Sequence, residues 1–338
     1  MKVTQKRYVG LLSKIILILA IFFVQSVAIC ISAETSKYGG VKYITVSGGT
    51  AGDYLIVAAK VAEIISKELP GITTTSIPGG AGINIIKAQR GEIQVGVVYS
   101  IVFYQGYHGL GDFKEKQTKV RTLMNLWPAY FQTVVPRDSD ITSISDLVKK
   151  PYNVWISAVG QGSQVCILET LKAYDITPEK IVEIGGNVVQ TNMTDAGRML
   201  QDRQLDFFQT PSSLPYSQII EVNFSPGVKF LPIDGEAREK LITSLPGLFN
   251  AVIPANTYEG QDKDIQTVGF FHQLICSSDL PDDLVYDITA AIVDHLDEIK
   301  ELSAGLKTIM YDNLARNLVV PLHPGAEKYY IEHNMLKK

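Results

Sequence analysis

Short apolar runs alternate with amphipathic stretches in the first part of the chain. The runs at 43–47, 72–77 and 93–99 are rich in β-branched residues, which predicts three strands. Between them, apolar residues recur every three or four positions over 53–69 and 83–90, which predicts two helices. Strands that alternate with amphipathic helices are typical of α/β units with a parallel-rich sheet.

The same alternation returns after residue 138 and then gives way to extended chain. A short helix is predicted near 143–148. The pattern further predicts strands at 152–156, 181–184, 205–209 and 267–275, and helices at 163–174, 188–201, 213–222, 282–299 and 325–335.

Two α/β units followed by an extended return predict two lobes. We expect one lobe to contain residues 40–135 and 253–338, and the other to contain residues 136–252. The chain would then cross between them near 134–137 and near 250–254. Because no long linker or low-complexity tract separates the lobes, they are expected to pack across a cleft, a common place for a ligand.

Residues 1–33 are predicted to be an export signal. Four basic residues and no acidic residue occupy positions 1–14, apolar runs follow at 15–24 and 27–31, and Ala33 offers a small residue for cleavage. A retained membrane anchor is the alternative, since the apolar run approaches the length that spans a bilayer. Either way, the remainder of the chain is expected to be extracytoplasmic, in the periplasm or at the cell surface.

Composition narrows the classes of protein that remain. The 338 residues are 46% hydrophobic and 20% charged, with a net charge of -4, which indicates a folded core and excludes wholesale disorder. The absence of a basic excess argues against a nucleic-acid partner. Three cysteines are too few for a disulfide-built fold. Of these, Cys166 and Cys276 lie in apolar contexts and are predicted to be buried free thiols, a disulfide between them being the alternative.

The sequence shows no catalytic or metal-binding motif. The five histidines lack close metal-ligand spacing, no cysteine belongs to a CxxC pair, and no GxSxG nucleophile elbow occurs. We therefore expect neither a metal nor a cofactor, and a protein that is not an enzyme.

Three glycine-rich turns, at 47–52, 78–82 and 160–163, are the most informative feature. Each follows a predicted strand and opens a predicted helix, where unpaired backbone N–H groups and the helix dipole favour an anion. None is a P-loop, because no Lys-Ser/Thr pair follows the glycines. Any one of them alone suits an ordinary turn, whereas three in two lobes favour a shared anion-recognising cleft.

Several stretches resemble one protein family. The run GGTAG at 48–52, followed by Tyr54, resembles the GGTGG-x-Y signature of the TAXI family, the extracytoplasmic solute receptors of TRAP-type transporters. The segments 253–262 (IPANTYEGQD), 280–286 (LPDDLVY) and 321–326 (PLHPGA) are similar to further family motifs. The resemblance covers residues 40–333 in order and spacing.

The resemblance implies an α/β, two-lobe periplasmic-binding-protein fold of type II, with the ligand cleft between the lobes. It implies capture of a small anionic or zwitterionic ligand, either glutamate-like or a 2-oxoacid or dicarboxylate, and delivery to TRAP-type permease subunits. A ligand-sensing subunit for a membrane signalling partner is one alternative. An enzyme on the same fold is another, because fold alone does not set function.

The family's cleft positions imply a ligand-binding set in this chain. Its members are Gly49, Thr50, Tyr54, Gly80, Ala81, Asn84, Ser100, Gln161, Gly162, Ser163, Thr210, Pro211 and Ser212. The chain departs from the family where Pro78 and Ala81 replace a Thr and a Ser, and where Gln161 replaces a Ser. None of the set is an arginine, so an anion would be held by backbone N–H groups, hydroxyls and amides. We expect Arg90, Arg121 and Arg198 outside the cleft.

Four further features carry weaker expectations. Asp53 is expected to stabilise a helix start, with recognition of a ligand ammonium as the alternative. His323 is expected to be a hydrogen-bonded structural residue, and the aromatic cluster of Tyr99, Phe103, Tyr104 and Tyr107 is expected to be core. Segment 254–262 is either a structural loop or part of a permease-facing surface.

Overall fold

A computed structural model describes residues 37–50, 52–159 and 161–336. The predicted signal segment, 1–33, lies outside the described residues. Residues 42–338 form one compact unit. Of the other unit, Met1–Val41, residues 37–41 are described, and Val41 N–H donates to the Tyr38 carbonyl at 3.0 Å in a turn. Within the described ranges, none of the helices combines the length and apolarity that crossing a membrane requires.

A large mixed sheet forms the centre of this unit. Its strands follow the order β2-β1-β3-β10-β4-β7, with β8 added to β4 and β9 added to β10, while β5 and β6 form a second sheet. The strands are β1 (Tyr43–Ser47), β2 (Thr73–Ile77), β3 (Val95–Tyr99), β4 (Val120–Pro136), β5 (Asn153–Trp155), β6 (Asn187–Val189), β7 (Phe208–Ser212), β8 (Val228–Leu231), β9 (Leu248–Ile253) and β10 (Ile265–Ser277).

Helices follow most of the strands. They are α1 (Gly52–Glu68), α2 (Ala81–Gln89), α3 (Ser100–His108), α4 (Gly162–Ala173), α5 (Pro178–Glu183), α6 (Met193–Gln201), α7 (Ser217–Phe224), α8 (Gly235–Ser244), α9 (Asp282–Asp294), α10 (Leu296–Lys300) and α11 (Pro324–Glu332). Short 3-10 helices lie at Ile144–Val148, Gly305–Thr308 and Tyr311–Asn313. The mixed α/β class that the sequence predicts is therefore confirmed.

The prediction of a parallel-rich sheet is right for only part of the molecule. β1 pairs in parallel with β2 and β3, and β5 pairs in parallel with β6. The prediction is wrong around β4 and β10, because β10 is antiparallel to β3, β4 and β9, and β4 is antiparallel to β7 and β8. Antiparallel neighbours need no crossover helix, so strand–helix alternation does not indicate them.

The strand predicted at 181–184 is wrong. Most of this segment belongs to α5, where Thr177 caps the helix by accepting from Lys180 N–H and Pro178 occupies the first turn. The strand comes later, as β6, and the predicted helix 188–201 consequently begins only at α6. The helix-start signals at Thr177 and Pro178 outweigh the β-branched composition of residues 181–184.

The helices pack apolar stripes against the sheet. α1 buries Val57, Val61 and Ile65, and α4 buries Ile167 and Leu171. Cys166 and Cys276 are buried and free, which confirms the prediction that these two thiols are unpaired. This packing fixes the ends of β1, β2 and β5, from which the glycine-rich turns lead into α1, α2 and α4.

Candidate functional site

The three glycine-rich turns meet at one cavity of about 700 Å³. Its lining comes from two parts of the chain, residues 49–113 and residues 161–216. Several residues of the predicted ligand-binding set contribute to this lining. They are Gly49, Thr50, Tyr54, Gly80, Ala81, Gln161 and Gly162.

Three helix starts contribute to the lining of the cavity. Gly80 precedes α2 and Gln161 precedes α4, and among the described residues neither helix receives a side-chain cap hydrogen bond at its start. Gly52, the first residue of α1, also lines the cavity. Uncapped N–H groups and the positive ends of helix dipoles create an environment that favours a negative charge.

Close packing explains two of the glycines at the turns. A Cβ placed on Gly49 would lie 2.9 Å from Tyr54 Cβ, and one placed on Gly79 would lie 2.1 Å from Asn84 Oδ1. Both distances are shorter than real Cβ contacts allow. The turns therefore need glycine so that backbone and neighbouring side chains approach each other closely.

Asn84 lies behind the turns and outside the cavity lining. Its Oδ1 accepts from Ser47 Oγ at 2.7 Å and from Gly80 N–H at 3.3 Å. Its Nδ2 donates to the carbonyls of Ser47, Gly48 and Val97 at 3.2, 2.9 and 2.8 Å. The side chain thus ties the first two turns to β3, which gives it a positioning role.

Ser100 and Ser163 also use their hydroxyls inside the protein and lie outside the cavity lining. Ser100 Oγ donates to the Gly247 carbonyl at 3.2 Å. Ser163 Oγ lies 2.7 Å from Ser157 Oγ, and Ser157 is a buried residue with a positive φ of 70°. A non-glycine residue in this conformation is uncommon, and this pair anchors the first turn of α4.

Thr210, Pro211 and Ser212 lie on β7 and are likewise outside the lining. Thr210 Oγ1 donates to the sulfur of Met193 at 3.2 Å. Ser212 Oγ accepts from Gln132 Nε2 at 2.7 Å, in a partly buried contact between β7 and β4. Met193 lines the cavity, so Thr210 supports the cavity lining through its contact with the Met193 side chain. The sequence pattern gave no sign of this role for Met193.

Tyr258 supports the cavity wall from the segment 254–262. Its hydroxyl accepts from Tyr216 N–H at 2.8 Å and donates to Gln132 Oε1, and Tyr216 lines the cavity. Gln261 Nε2 closes the same loop by donating to the carbonyls of Pro254 and Lys263 at 3.0 and 2.7 Å. These contacts give the segment a structural role.

An aromatic cluster extends into the protein from the cavity lining, to which Tyr54 and Tyr99 belong. The Tyr54 ring makes edge contacts with Tyr99, Trp127 and His272, with centroids 5.4, 6.3 and 5.5 Å away, and Trp127 stacks on His272 at 4.0 Å. Tyr99 ends β3 and lines the cavity. The prediction that Tyr99 belongs to the core therefore describes only part of its role. Phe103, by contrast, is fully buried as expected.

Burial shifts the pKa of Tyr54 and of His272 in this cluster. Desolvation, followed by the nearby Tyr99, raises the pKa of the Tyr54 hydroxyl well above its ordinary value. That hydroxyl is buried without a hydrogen-bond partner among the described residues. Desolvation lowers the pKa of His272 to about 3, so the imidazole is neutral at physiological pH and hydrogen-bonds through Nδ1 to the Trp127 carbonyl at 3.1 Å.

The lining carries little formal charge. Among the described residues that line the cavity, Asp112 is the one acidic side chain and none is Lys, Arg or His. Arg90 and Arg198 pair on the surface with Glu92 and Asp195. Arg121 Nη1 donates to main-chain carbonyls at 2.5 and 3.0 Å.

Two further side chains also lie away from the cavity. Asp53 sits in the first turn of α1 beside Gly305, where a Cβ would lie 3.0 Å from the carboxylate. His323 is fully buried and its Nδ1 accepts from Gly325 N–H at 3.2 Å as the cap of α11, which confirms a hydrogen-bonded structural residue.

The fold is that of the type II periplasmic binding proteins. The structure is similar to PhnD1 from Prochlorococcus marinus (MIT 9301), solved in complex with methylphosphonate, at 10% identity over 87% of this chain and 99% of that chain (TM-score 0.53). It is similar to a TctC solute binding protein from Polaromonas at 12% identity over 87% of this chain and 98% of that chain (TM-score 0.50). The chain belongs to the NMT1-like family, whose model matches residues 46–333.

Proposed function

We propose that the protein is an extracytoplasmic solute-binding protein that captures a small acidic metabolite or amino acid. The observation that carries this proposal is the meeting of three helix starts at one cavity, two of them uncapped within the described part of the chain. Backbone N–H groups and dipoles there stabilise a carboxylate without a cationic side chain. The NMT1-like family and the periplasmic-binding fold support this assignment, and PhnD1 itself holds a small anion, methylphosphonate.

The ligand would lie between two lobes. We assign residues 40–135 and 253–338 to one lobe and 136–252 to the other, with β4 and β10 of the first lobe pairing with β7, β8 and β9 of the second. In support of this division, residues 49–113 of the first lobe and 161–216 of the second both line the cavity. A ligand that touches both linings stabilises the closed arrangement by its higher affinity for that state.

The Tyr54 hydroxyl is the side-chain donor that we assign to the bound ligand. An unpartnered buried hydroxyl is costly, and a ligand acceptor would remove that cost. Thr50, which is exposed at the first turn, and Gln161, exposed at the third, would complete the contacts from opposite lobes.

The partner that we propose is a TRAP-type permease. The support is the resemblance of the turn at 48–52 and of segments 253–262 and 321–326 to the TAXI receptors. A permease that recognises the closed protein would accept only loaded molecules. In this account the protein delivers its ligand unchanged and is not an enzyme.

A thermal-shift screen of the purified protein, stripped of bound small molecules, tests the proposal. The probes are glutamate, glutamine, 2-oxoglutarate, succinate, 4-methyl-2-oxopentanoate and neutral amino acids. A ligand at 100 times its Kd stabilises the protein by about 2.7 kcal/mol, which raises the Tm of a chain of this length by about 4 °C. Stabilisation by an acid that is recovered unchanged supports the proposal. A flat response to every acid, or turnover of the acid that binds, overturns it.

A further inference from the structure

One wall of the cavity is apolar. It is formed by side chains of α2, α3 and the loop that follows, a group that we call the apolar wall: Ile83, Ile86, Val102 and Phe113. Ile83 is 46% exposed although it lines the cavity.

The Phe113 ring joins the two helices of this wall. A Cβ placed on Gly106 would lie 3.1 Å from Phe113 Cζ, and one placed on Gly82 would lie 3.9 Å from the same atom. The ring therefore fills the space between α3 and the first turn of α2. The apolar wall is thus continuous and begins directly beside the anion-favouring helix start.

The charge at this side of the cavity is negative. Asp112 adjoins Phe113 and is exposed, and no cationic side chain occurs in the described lining. A second carboxylate on a ligand would meet the charge of Asp112 and an apolar surface. Desolvating an unpaired charge there is unfavourable.

Three polar side chains near the cavity are already used within the protein. The hydroxyls of Thr210 and Tyr216 both donate to the sulfur of Met193, at 3.2 and 3.0 Å. Both ends of the Asn84 amide form hydrogen bonds with the glycine-rich turns and β3. The side chains at these positions therefore offer structural support instead of a second anion site.

We infer that the ligand is a monoanion with an apolar body. Its carboxylate would lie at the helix starts, and an aliphatic or aromatic group would pack on the apolar wall. This rests on the proposed function and narrows it, because it selects amphipathic 2-oxoacids or amino acids over dicarboxylates such as 2-oxoglutarate, succinate and glutamate.

Calorimetric titration with matched pairs tests the inference. The pairs are 4-methyl-2-oxopentanoate against 2-oxoglutarate, and leucine against glutamate. In at least one pair we expect the apolar member to bind about tenfold or more tightly, since a buried branched alkyl group contributes a factor of this order. The variant Asp112→Asn should reduce the difference in affinity between the two members of a pair, because it should bind the dicarboxylate more tightly than the wild type does.

A matched pair of variants tests whether the apolar wall is responsible for the tighter binding of the apolar acid. Ile83→Ser should weaken binding of the apolar acid by about fivefold to tenfold, by loss of apolar contact. Ile220→Ser serves as its control, because Ile220 is 49% exposed on α7 and lies outside the cavity lining, so affinity should stay at the wild-type value.

The outcomes separate this inference from the function on which it rests. Equal or tighter binding of the dicarboxylates overturns the inference and leaves the solute-binding function standing. An unchanged affinity in Ile83→Ser also overturns it. If no acid of either kind binds, the proposed function fails and the inference fails with it.

Discussion

Tyr99 and Gly162 are in direct contact at the cavity wall: a Cβ placed on Gly162 would lie 2.5 Å from Cε2 of the Tyr99 ring. Tyr99 ends β3 and Gly162 begins α4, so this contact joins the two parts of the chain that line the cavity. The glycine is required here by its lack of a side chain, because the ring occupies the place that a Cβ would take.

Gly162→Ala should therefore destabilise the protein by about 1–3 kcal/mol, the usual cost of overpacking. It should also weaken ligand binding, because Tyr99 has to move. Urea unfolding and calorimetry measure the two effects. Gly82→Ala is the control for stability, since its Cβ would lie 3.9 Å from Phe113 and a helical alanine is favoured over glycine. Equal stability of both variants would contradict the contact.

Asn84→Ala should be among the most damaging single substitutions near the site. It leaves the carbonyls of Ser47, Gly48 and Val97 without their amide donor. At about 1–3 kcal/mol for each buried unsatisfied group, the expected loss of unfolding free energy is at least about 3 kcal/mol. Chemical denaturation measures it.

Asn187→Ala is the matched control for Asn84. Asn187 is exposed and its amide donates to another side chain, Asn153, at 2.7 Å. The control should change stability by less than about 0.5 kcal/mol. If the two variants lose the same stability, the amide of Asn84 does not hold the turns together.

Tyr54→Phe should separate stability from binding. The variant removes a buried hydroxyl that lacks a partner among the described residues, so stability should be unchanged or should rise by about 1 kcal/mol. Affinity for the acidic ligand should fall by about tenfold, the usual value of one hydrogen bond. Thermal denaturation and calorimetry on the same preparation give both numbers. Unaltered affinity would remove Tyr54 from the site.

His272 should make stability depend on pH. Burial lowers its folded-state pKa to about 3, whereas the unfolded chain protonates it near the ordinary 6.5. As the pH falls, protons bind the unfolded state first. The contribution of His272 is therefore complete above pH 6.5 and is lost between pH 6.5 and 3, by up to about 1.4 kcal/mol per pH unit.

The variant His272→Phe isolates this dependence, because Phe preserves an aromatic ring against Trp127 and cannot be protonated. Between pH 7.5 and 5.0 it should lose less unfolding free energy than the wild type does, as measured by urea titration at both pH values. If wild type and variant lose the same amount, His272 is not the group that titrates.

The glycine-rich turns could be found from sequence because their signals are local. A strand, a run of glycines and an amphipathic helix follow one another within a few residues at 47–52, 78–82 and 160–163. Their convergence on one cavity followed from the α/β alternation. The resemblance to the TAXI family further identified individual residues at the first turn, namely Gly49, Thr50 and Tyr54.

The remaining wall depends on long-range pairing that no local pattern reveals. Tyr258 reaches Tyr216 and Gln132 only because β4, β7 and the segment after β9 are brought together by antiparallel pairing. Asn84 shows the complementary difficulty. A polar side chain near a helix start suits a ligand contact or a brace for the turn equally well, and hydrogen-bond geometry is needed to distinguish them.

Ala81→Glu offers the most direct test that an anion binds at the helix starts. Ala81 is the first residue of α2 and lines the cavity, so a carboxylate introduced there would compete with the ligand while it stabilises the helix dipole. The exposed Ala59 on α1 lies outside the lining, and Ala59→Glu provides the control with the same change of charge.

The decisive measurement is calorimetric titration of the wild type, Ala81→Glu and Ala59→Glu with the acid that binds the wild type best. We predict that Ala81→Glu binds at least about thirtyfold more weakly with a Tm no lower than that of the wild type, while Ala59→Glu binds normally. Wild-type affinity in Ala81→Glu would contradict an anion site at the meeting of the three helix starts.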